Sequence, residues 1–458
     1  MWSFSQFPSQ SSGRVNYFGF SVEMGLCKNI EGGFLAWAIV ISSFMIHFLQ
    51  SGFSDSFGLI LPSIRTTFNA SNAEASLTNS IVVFLTLGSS PVAAAMIKRI
   101  GHKLTMIAGV VIASAGLFIG GLYIKLEGDH TAPPDNRTDN QTASGDIGTH
   151  PNIIVLYATV GVMTGVGFGF TYLPSVDILK MRFDKNLGLA CGIAASGTGF
   201  GQFVMAPVVN ILQEHFGLSG TMFGFAAIFG ASIFFCFLFS VPSSFKESSP
   251  EESAHQNNSS QNIFSKLSEL RSAPKLFLIL HAFLLNICIY SIFTFYAERA
   301  ISFGISEDDT SYLLSMMGFA NFVARIVFGI IIDKFRSKAF IILTSIHLIN
   351  GLAMLSSQFI KTFTGQAIAA VIFGAGFGAK VTCFVVVVGI IVDDITFLLS
   401  ICYFVIGIAS LVGPTFVGYL LDISGSYLPG FMVVGIVFIL GALCLPLVWW
   451  SLEKERKN

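Results

Sequence analysis

The sequence predicts an all-α membrane protein of twelve transmembrane helices arranged as two six-helix bundles, and three observations predict it. The 458-residue chain is 53% hydrophobic but only 11% charged, with a mean hydropathy of +0.74, whereas soluble domains carry about 25% charged residues. Twelve apolar runs each approach or exceed the about 20 residues that a helix needs to cross a hydrocarbon core. A polar segment rich in Ser, Glu and Asn divides those runs six and six. Together these observations exclude a soluble multidomain enzyme. The net charge of −1 leaves no polybasic surface for nucleic acid and no acidic tail.

Taken in order, residues 1–33 form a polar N-terminal segment. It lacks a basic region followed by an apolar one, so no cleavable signal peptide is expected and the first span serves as its own insertion signal. The first bundle, 34–241, holds spans at 35–61, 77–97, 103–124, 152–174, 187–210 and 220–241. Residues 242–275 read as a cytosolic linker, because they contain too few apolar side chains to bury a core. The second bundle, 276–450, holds spans at 276–297, 311–332, 339–359, 365–391, 397–420 and 429–450, and residues 451–458 are a charged cytosolic tail.

Orientation follows from the positive-inside bias. With both termini cytosolic, the inner segments carry 18 Lys and Arg and the outer loops 5, while Arg325 and Lys380 lie within spans. The sequons at Asn136 and Asn140 then fall in an outer insert, where glycosylation is expected, and Asn69 begins another close to the bilayer. Cys191, Cys236, Cys288, Cys383, Cys402 and Cys444 lie in spans and Cys27 in the inner N-terminus, which is neither a disulfide framework nor a metal spacing. Trp449 and Trp450 read as an interfacial belt before the charged tail.

Helix association in lipid relies on packing, so small residues mark close approach. Gly188, Gly192, Ser196 and Gly199 form one such stripe, and Gly161, Gly165 and Gly169 another. Either stripe is read as tight static packing or as a surface along which bundles move.

Ionisable groups inside the membrane cost at least about 3 kcal/mol on insertion scales, which makes each a functional candidate. Here they are Asp55 in the outer half of the first span, Arg325 near the middle of the eighth, and Lys380 in the tenth after the run Gly374-Ala375-Gly376-Phe377-Gly378-Ala379. The alternative for each is an inter-helix salt bridge, Asp55 with Lys380 included. If the three share one cavity, two cations and one anion leave a net +1 in a medium of low dielectric, which a bound carboxylate would neutralise. Arg is the apt partner because its planar fork meets a carboxylate bidentately. His47, His281 and His347 are pH-sensing candidates by residue type, although satisfied interior positions are the plainer expectation. Tyr172, Asn286, Tyr290, Tyr296 and Phe377 are candidate cavity residues, with ordinary packing as their alternative. No cofactor and no metal site is indicated.

Each bundle also has a basic loop after its second span: Lys98-Arg99-Ile100-Gly101-His102-Lys103 and Asp333-Lys334-Phe335-Arg336-Ser337-Lys338. These resemble the loop signature of the major facilitator superfamily, with Lys98 where the pattern favours Asp and Arg336 where it has Gly, and they imply its parallel-repeat plan. Five further segments resemble the monocarboxylate transporter family in the right order. They are Glu31-Gly32-Gly33-Phe34 leading to Trp37; Phe57-Gly58-Leu59-Ile60-Leu61-Pro62 with Phe68-Asn69-Ala70-Ser71; and Phe183-Asp184-Lys185 with Leu189-Ala190-Cys191-Gly192-Ile193-Ala194-Ala195-Ser196-Gly197-Thr198. The last two are Gly304-Ile305-Ser306, Leu313-Leu314-Ser315 and Ala324-Arg325; and Gly413-Pro414, Gly418-Tyr419, Asp422 and Gly425-Ser426-Tyr427.

What the resemblance implies is a transporter of small monocarboxylates or related organic anions working by alternating access, with a single-span glycoprotein chaperone for delivery to the plasma membrane. It also implies that Arg325 binds the substrate carboxylate. Where proton-coupled members have an Asp four residues earlier, this chain has Asn321, which cannot titrate. Where they have a first-span Lys, it has Asp55. Relocated charges would fit, with Lys380 as the cation and Asp55 as the proton-responsive acid. The competing expectations are an uncoupled facilitator or exchanger of larger carboxylates such as aromatic amino acids, and a non-transporting membrane sensor on the same fold. Substrate-facing candidates are therefore Arg325, Lys380, Asn321 and Tyr172, and the proton-coupling candidate is Asp55.

Overall fold

A computed structural model describes residues 33–128, 151–183, 187–239, 271–392 and 395–457. The sequons at Asn136 and Asn140, the central linker up to residue 270, Cys27 and the Glu31-Gly32 opening lie outside the described residues, and the last residues of that linker already belong to the next helix. The helices are α1 (Phe34–Asp55), α2 (Leu61–Phe68), α3 (Asn72–Gly88), α4 (Ser90–Gly128), α5 (Ile153–Leu156), α6 (Thr164–Arg182), α7 (Leu187–Ala231) and α8 (Ile233–Cys236). They continue as α9 (Ala273–Ser302), α10 (Glu307–Lys334), α11 (Ala339–Ser356), α12 (Phe363–Ile391), α13 (Ile395–Ser424) and α14 (Tyr427–Lys457). A π-helical stretch, Tyr157–Met163, joins α5 to α6.

Ten segments of this set are long and apolar enough to cross a membrane. Dividing α7 at Gly217, and joining α3 to the head of α4 as a further pass, gives twelve passes among the described residues. Gly101 (φ 81°) and Gly217 (φ 62°) turn the chain back between passes within α4 and α7. A left-handed backbone of this kind favours glycine because it lacks a Cβ. Elsewhere polar side chains start the helices. Ser71 and Glu74 form a reciprocal capping box on α3, Ser306 caps α10 and Thr362 caps α12, each satisfying backbone N–H groups that the first turn leaves unbonded.

Within the first bundle α4 packs on α6 and α1 on α7; within the second α10 packs on α12 and α9 on α14. The bundles meet along two seams, α7 against α10 and α3 against α13. The two small-residue stripes part company here. A Cβ at Gly165 would lie 2.9 Å from the Leu85 side chain, so Gly161 in the π-helical stretch and Gly165 and Gly169 in α6 pack against α3 and its C-terminal end inside one bundle. A Cβ at Gly199 would lie 2.5 Å from the Phe322 amide nitrogen, and one at Gly318 2.5 Å from that of Phe203. Gly199 therefore sits on a seam between bundles, whereas Gly192 meets no neighbour within 4 Å.

One expectation needs correction. The seventh span was expected to end near residue 297, leaving Glu298 and Arg299 in an outer loop, yet α9 continues to Ser302. Both side chains are buried, Arg299 completely. Its guanidinium is held by Ser357 Oγ and Gln366 Oε1 and lies over the rings of Tyr296, Phe303 and Phe431. Such faces attract a cation through their quadrupoles, so hydropathy alone mistook a buried arginine for a loop residue.

Candidate functional site

Arg325 projects from the middle of α10. Its Nε donates to Asn321 Oδ1 one turn earlier at 2.9 Å, and its Nη1 donates across the seam to the Ala195 carbonyl on α7 at 3.2 Å. These bonds hold the fork in place without neutralising it, and Arg325 has no ion-pair partner among the described residues. Gly378 makes room for this corner, because a Cβ there would lie 2.4 Å from the Asn321 carbonyl oxygen. Asn321 is fully buried. Its Oδ1 is used by Arg325, while its Nδ2 has no protein partner and remains a donor beside the guanidinium.

Lys380 is one helix away on α12, 5% exposed, and its Nζ donates to Asn286 Oδ1 of α9 at 2.9 Å. Phe377 separates the two cations, its ring centroid 5.7 Å from the Arg325 guanidinium and 5.9 Å from Lys380 Nζ. Asp55 is the last residue of α1 and is 9% exposed. It lies within electrostatic reach of Arg325, but no ion pair joins it to Lys380 among the described residues. Tyr172 of α6 packs edge-on against His47, with ring centroids 5.0 Å apart, and also acts on Arg325.

Sequence reasoning named Tyr290 but missed Tyr403. Tyr290 lies within electrostatic reach of Asp55, Tyr172 and Tyr403, and Tyr403 within reach of Tyr172 and Arg325. Tyr403 of α13 is 36% exposed, and of its electrostatic neighbours Tyr172 belongs to the first bundle and Arg325 to the second. A tyrosine in an apolar span carries no signal that distinguishes it from packing, and only the convergence of helices identifies it. Asp55, Tyr172 and Tyr403 thus lie within electrostatic reach of Arg325, and Lys380 stands on the far side of the Phe377 ring.

The three membrane histidines differ. His47 is tied through Nδ1 to the Ser43 carbonyl at 2.7 Å. His281 is bonded on one nitrogen only and His347 on neither, so the expectation of satisfied interior positions fails for these two.

At the end that the charge count places outside, the bundles are joined by side chains. Arg65 Nη2 meets Glu298 Oε1 at 2.8 Å, and Tyr427 donates to Glu298 Oε2 at 2.7 Å. Asn210 donates to Asp308 at 2.7 Å across the α7–α10 seam.

The family model of the Major Facilitator Superfamily matches residues 40–394 and 302–458. The chain is 24% identical to monocarboxylate transporter 12 of Mus musculus over 453 residues, covering 93% of this chain and 87% of that one. It is 24% identical to human monocarboxylate transporter 7, covering 91% and 86%, and 22% identical to monocarboxylate transporter 4 of Gallus gallus, covering 92% and 84%. In fold it is similar to the xylose transporter XylE of E. coli in a partially occluded inward-open conformation, with a TM-score of 0.64 at 15% identity over 89% of this chain and 98% of that one. These relatives are transporters rather than enzymes. The chain is a multi-pass membrane protein of the Major Facilitator Superfamily and belongs to its monocarboxylate transporter family.

Proposed function

We propose that the protein carries a small organic carboxylate across the plasma membrane by alternating access, with both termini cytosolic. The observation that carries this reading is Arg325: a buried guanidinium, positioned by Asn321 and Ala195 but paired with no carboxylate among the described residues. A buried cation without a counter-ion is costly, and a carboxylate substrate removes that cost while gaining bidentate hydrogen bonds. Lys380, the Asn321 amide and the Tyr172 hydroxyl are further contacts for the anion. Asp55, close to Arg325 yet unpaired, serves as the acid that takes up a coupled proton. The contacts Arg65–Glu298, Asn210–Asp308 and Asn72–Asp422 close the outer end, which fits an inward-facing state. The family likeness supports a single-span glycoprotein chaperone as partner.

A second reading has its own observation. Asn321 stands one turn from Arg325 where a titratable acid would be needed on this helix, which favours uncoupled facilitation or exchange of larger carboxylates such as aromatic amino acids.

Radiotracer uptake of lactate and of phenylalanine at two pH values, with Arg325→Lys and Asp55→Asn in parallel, tests both. Saturable uptake lost in Arg325→Lys and a maximal rate that no longer depends on pH in Asp55→Asn support the coupled reading. An unchanged pH dependence of the maximal rate in Asp55→Asn overturns the assignment of Asp55, and saturable phenylalanine uptake insensitive to pH favours the second reading. No saturable flux of any carboxylate returns the protein to a non-transporting sensor.

A further inference from the structure

A second polar cluster lies inside the C-terminal bundle. His281 of α9 and His347 and Asn350 of α11 are each at most 1% exposed, and the two imidazole centroids are 5.3 Å apart. His281 Nδ1 lies 2.8 Å from the Gly441 carbonyl and donates to it, which makes Nε2 of the neutral ring an acceptor. That Nε2, both nitrogens of His347 and both polar atoms of the Asn350 amide have no protein partner. Buried polar groups are hydrogen-bonded as a rule, and each orphan costs about 1–3 kcal/mol. Five such atoms on three neighbouring side chains mark a place built to hold something polar, and donors and acceptors in this mixture suit water.

The cluster adjoins Lys380. A Cβ at Gly376, one turn before Lys380 on α12, would lie 2.5 Å from the Asn350 amide carbon. Lys380 acts electrostatically on both histidines. Behind Lys380 stand Arg325 from α10 and Cys402 from α13. From α14 come the Gly441 carbonyl and the Phe438 ring, and α12 adds the Phe384 ring.

We propose that His281, His347 and Asn350 form a hydrated proton site that shares its protons with Lys380, and that protonation there tightens carboxylate binding as pH falls. This rests on the reading of Lys380 as a cation facing the anion. Like charges at close range in a low dielectric suppress one another, so the two imidazoles and the ammonium titrate as one set. A proton drawn from solution raises the charge of that set by one and attracts an anion at the Lys380 end. The role is separate from that of Asp55, which moves a proton with the substrate, whereas the histidine set changes affinity.

Two measurements test it on the full-length protein. With 15N-labelled histidine in detergent, spectra are followed from about pH 8 to about pH 5, the range around the ordinary histidine value. Titrating ring signals that vanish in His347→Gln and move to higher pH in Lys380→Met are expected, while rings that stay neutral throughout overturn the proposal whatever the protein transports. In reconstituted vesicles with radiolabelled lactate, KM is expected to fall about fivefold between about pH 7.5 and about pH 6, and to change less than about 1.5-fold in His281→Gln/His347→Gln. The same slope in that monodisperse variant also overturns it. Titrating rings in a protein that moves neither lactate nor phenylalanine would leave the proton site standing and defeat the transport reading instead.

Discussion

Asp422 in the last turn of α13 caps α3 of the opposite bundle at Asn72. Its Oδ1 accepts from the Asn72 backbone N–H at 2.9 Å and from the Asn72 side-chain amide at 2.6 Å, and its Oδ2 accepts from the Ala73 N–H at 3.1 Å. A carboxylate at a helix N-terminus bonds otherwise unsatisfied donors and meets the positive end of the helix dipole. Gly418, one turn earlier, permits the approach, because a Cβ there would lie 2.7 Å from the Ala73 nitrogen. The bundles are thus held together at this end by a cap whose two halves are about 350 residues apart in sequence.

Replacing Asp422 by Ala removes the cap and leaves the α3 donors to water. A loss of about 1 kcal/mol, typical of helix caps, acts only on the closed arrangement and shifts the population about fivefold toward opening at this end. Labelling of Ser54→Cys by a membrane-impermeant maleimide is expected to accelerate by about that factor, and an unchanged rate would show that the contact does not hold the gate.

The Arg65–Glu298 pair is asymmetric, with side chains 32% and 3% exposed. Removing Arg65 leaves a buried carboxylate held by Tyr427 alone, whereas Glu298→Gln leaves a guanidinium that water can reach. Arg65→Ala is therefore expected to lower the thermal midpoint more than Glu298→Gln. The double-mutant coupling should be about 1 kcal/mol, because partial exposure screens the pair. Equal single effects would contradict the asymmetry.

Arg325→Lys keeps the charge but loses the fork and the Nε bond to Asn321. At a bidentate site this is not conservative, and uptake of a carboxylate at subsaturating concentration is expected to fall at least about tenfold, equivalent to about 1.4 kcal/mol. Retained uptake would place the carboxylate elsewhere.

Gly199→Ala and Gly165→Ala separate the two stripes. The first puts a methyl group against backbone at the seam between bundles, so it should slow transport more than it lowers the melting temperature. The second crowds the Leu85 side chain and Val82 within one bundle and should do the reverse, with an overpacking cost of about 1–3 kcal/mol. Parallel uptake and thermal unfolding measurements decide it.

The fold was legible because lipid imposes a simple constraint: each span must be apolar over its length and satisfy its backbone internally. Apolar runs, basic loops and the polar divide are local features, and they define the twelve passes. Arg325, Lys380 and Asp55 stood out for a related reason, since a charge in such a run is conspicuous. The limit appears at Arg299, whose position at a span end made it resemble a loop residue until three aromatic rings and Gln366 were brought around it.

Sequence by itself determined the membrane class, the two-bundle plan and the three intramembrane charges, all properties of short segments in a solvent with one rule. Only the tertiary structure decided that Arg325 meets Ala195 rather than an acid, that Tyr403 comes within electrostatic reach of Arg325, that Gly199 lies between bundles while Gly165 lies within one, and that the rings of His281 and His347 lie side by side with unpaired nitrogens. Those are relations between helices distant in sequence. They depend on which faces meet when packing, rather than hydropathy, chooses the neighbours.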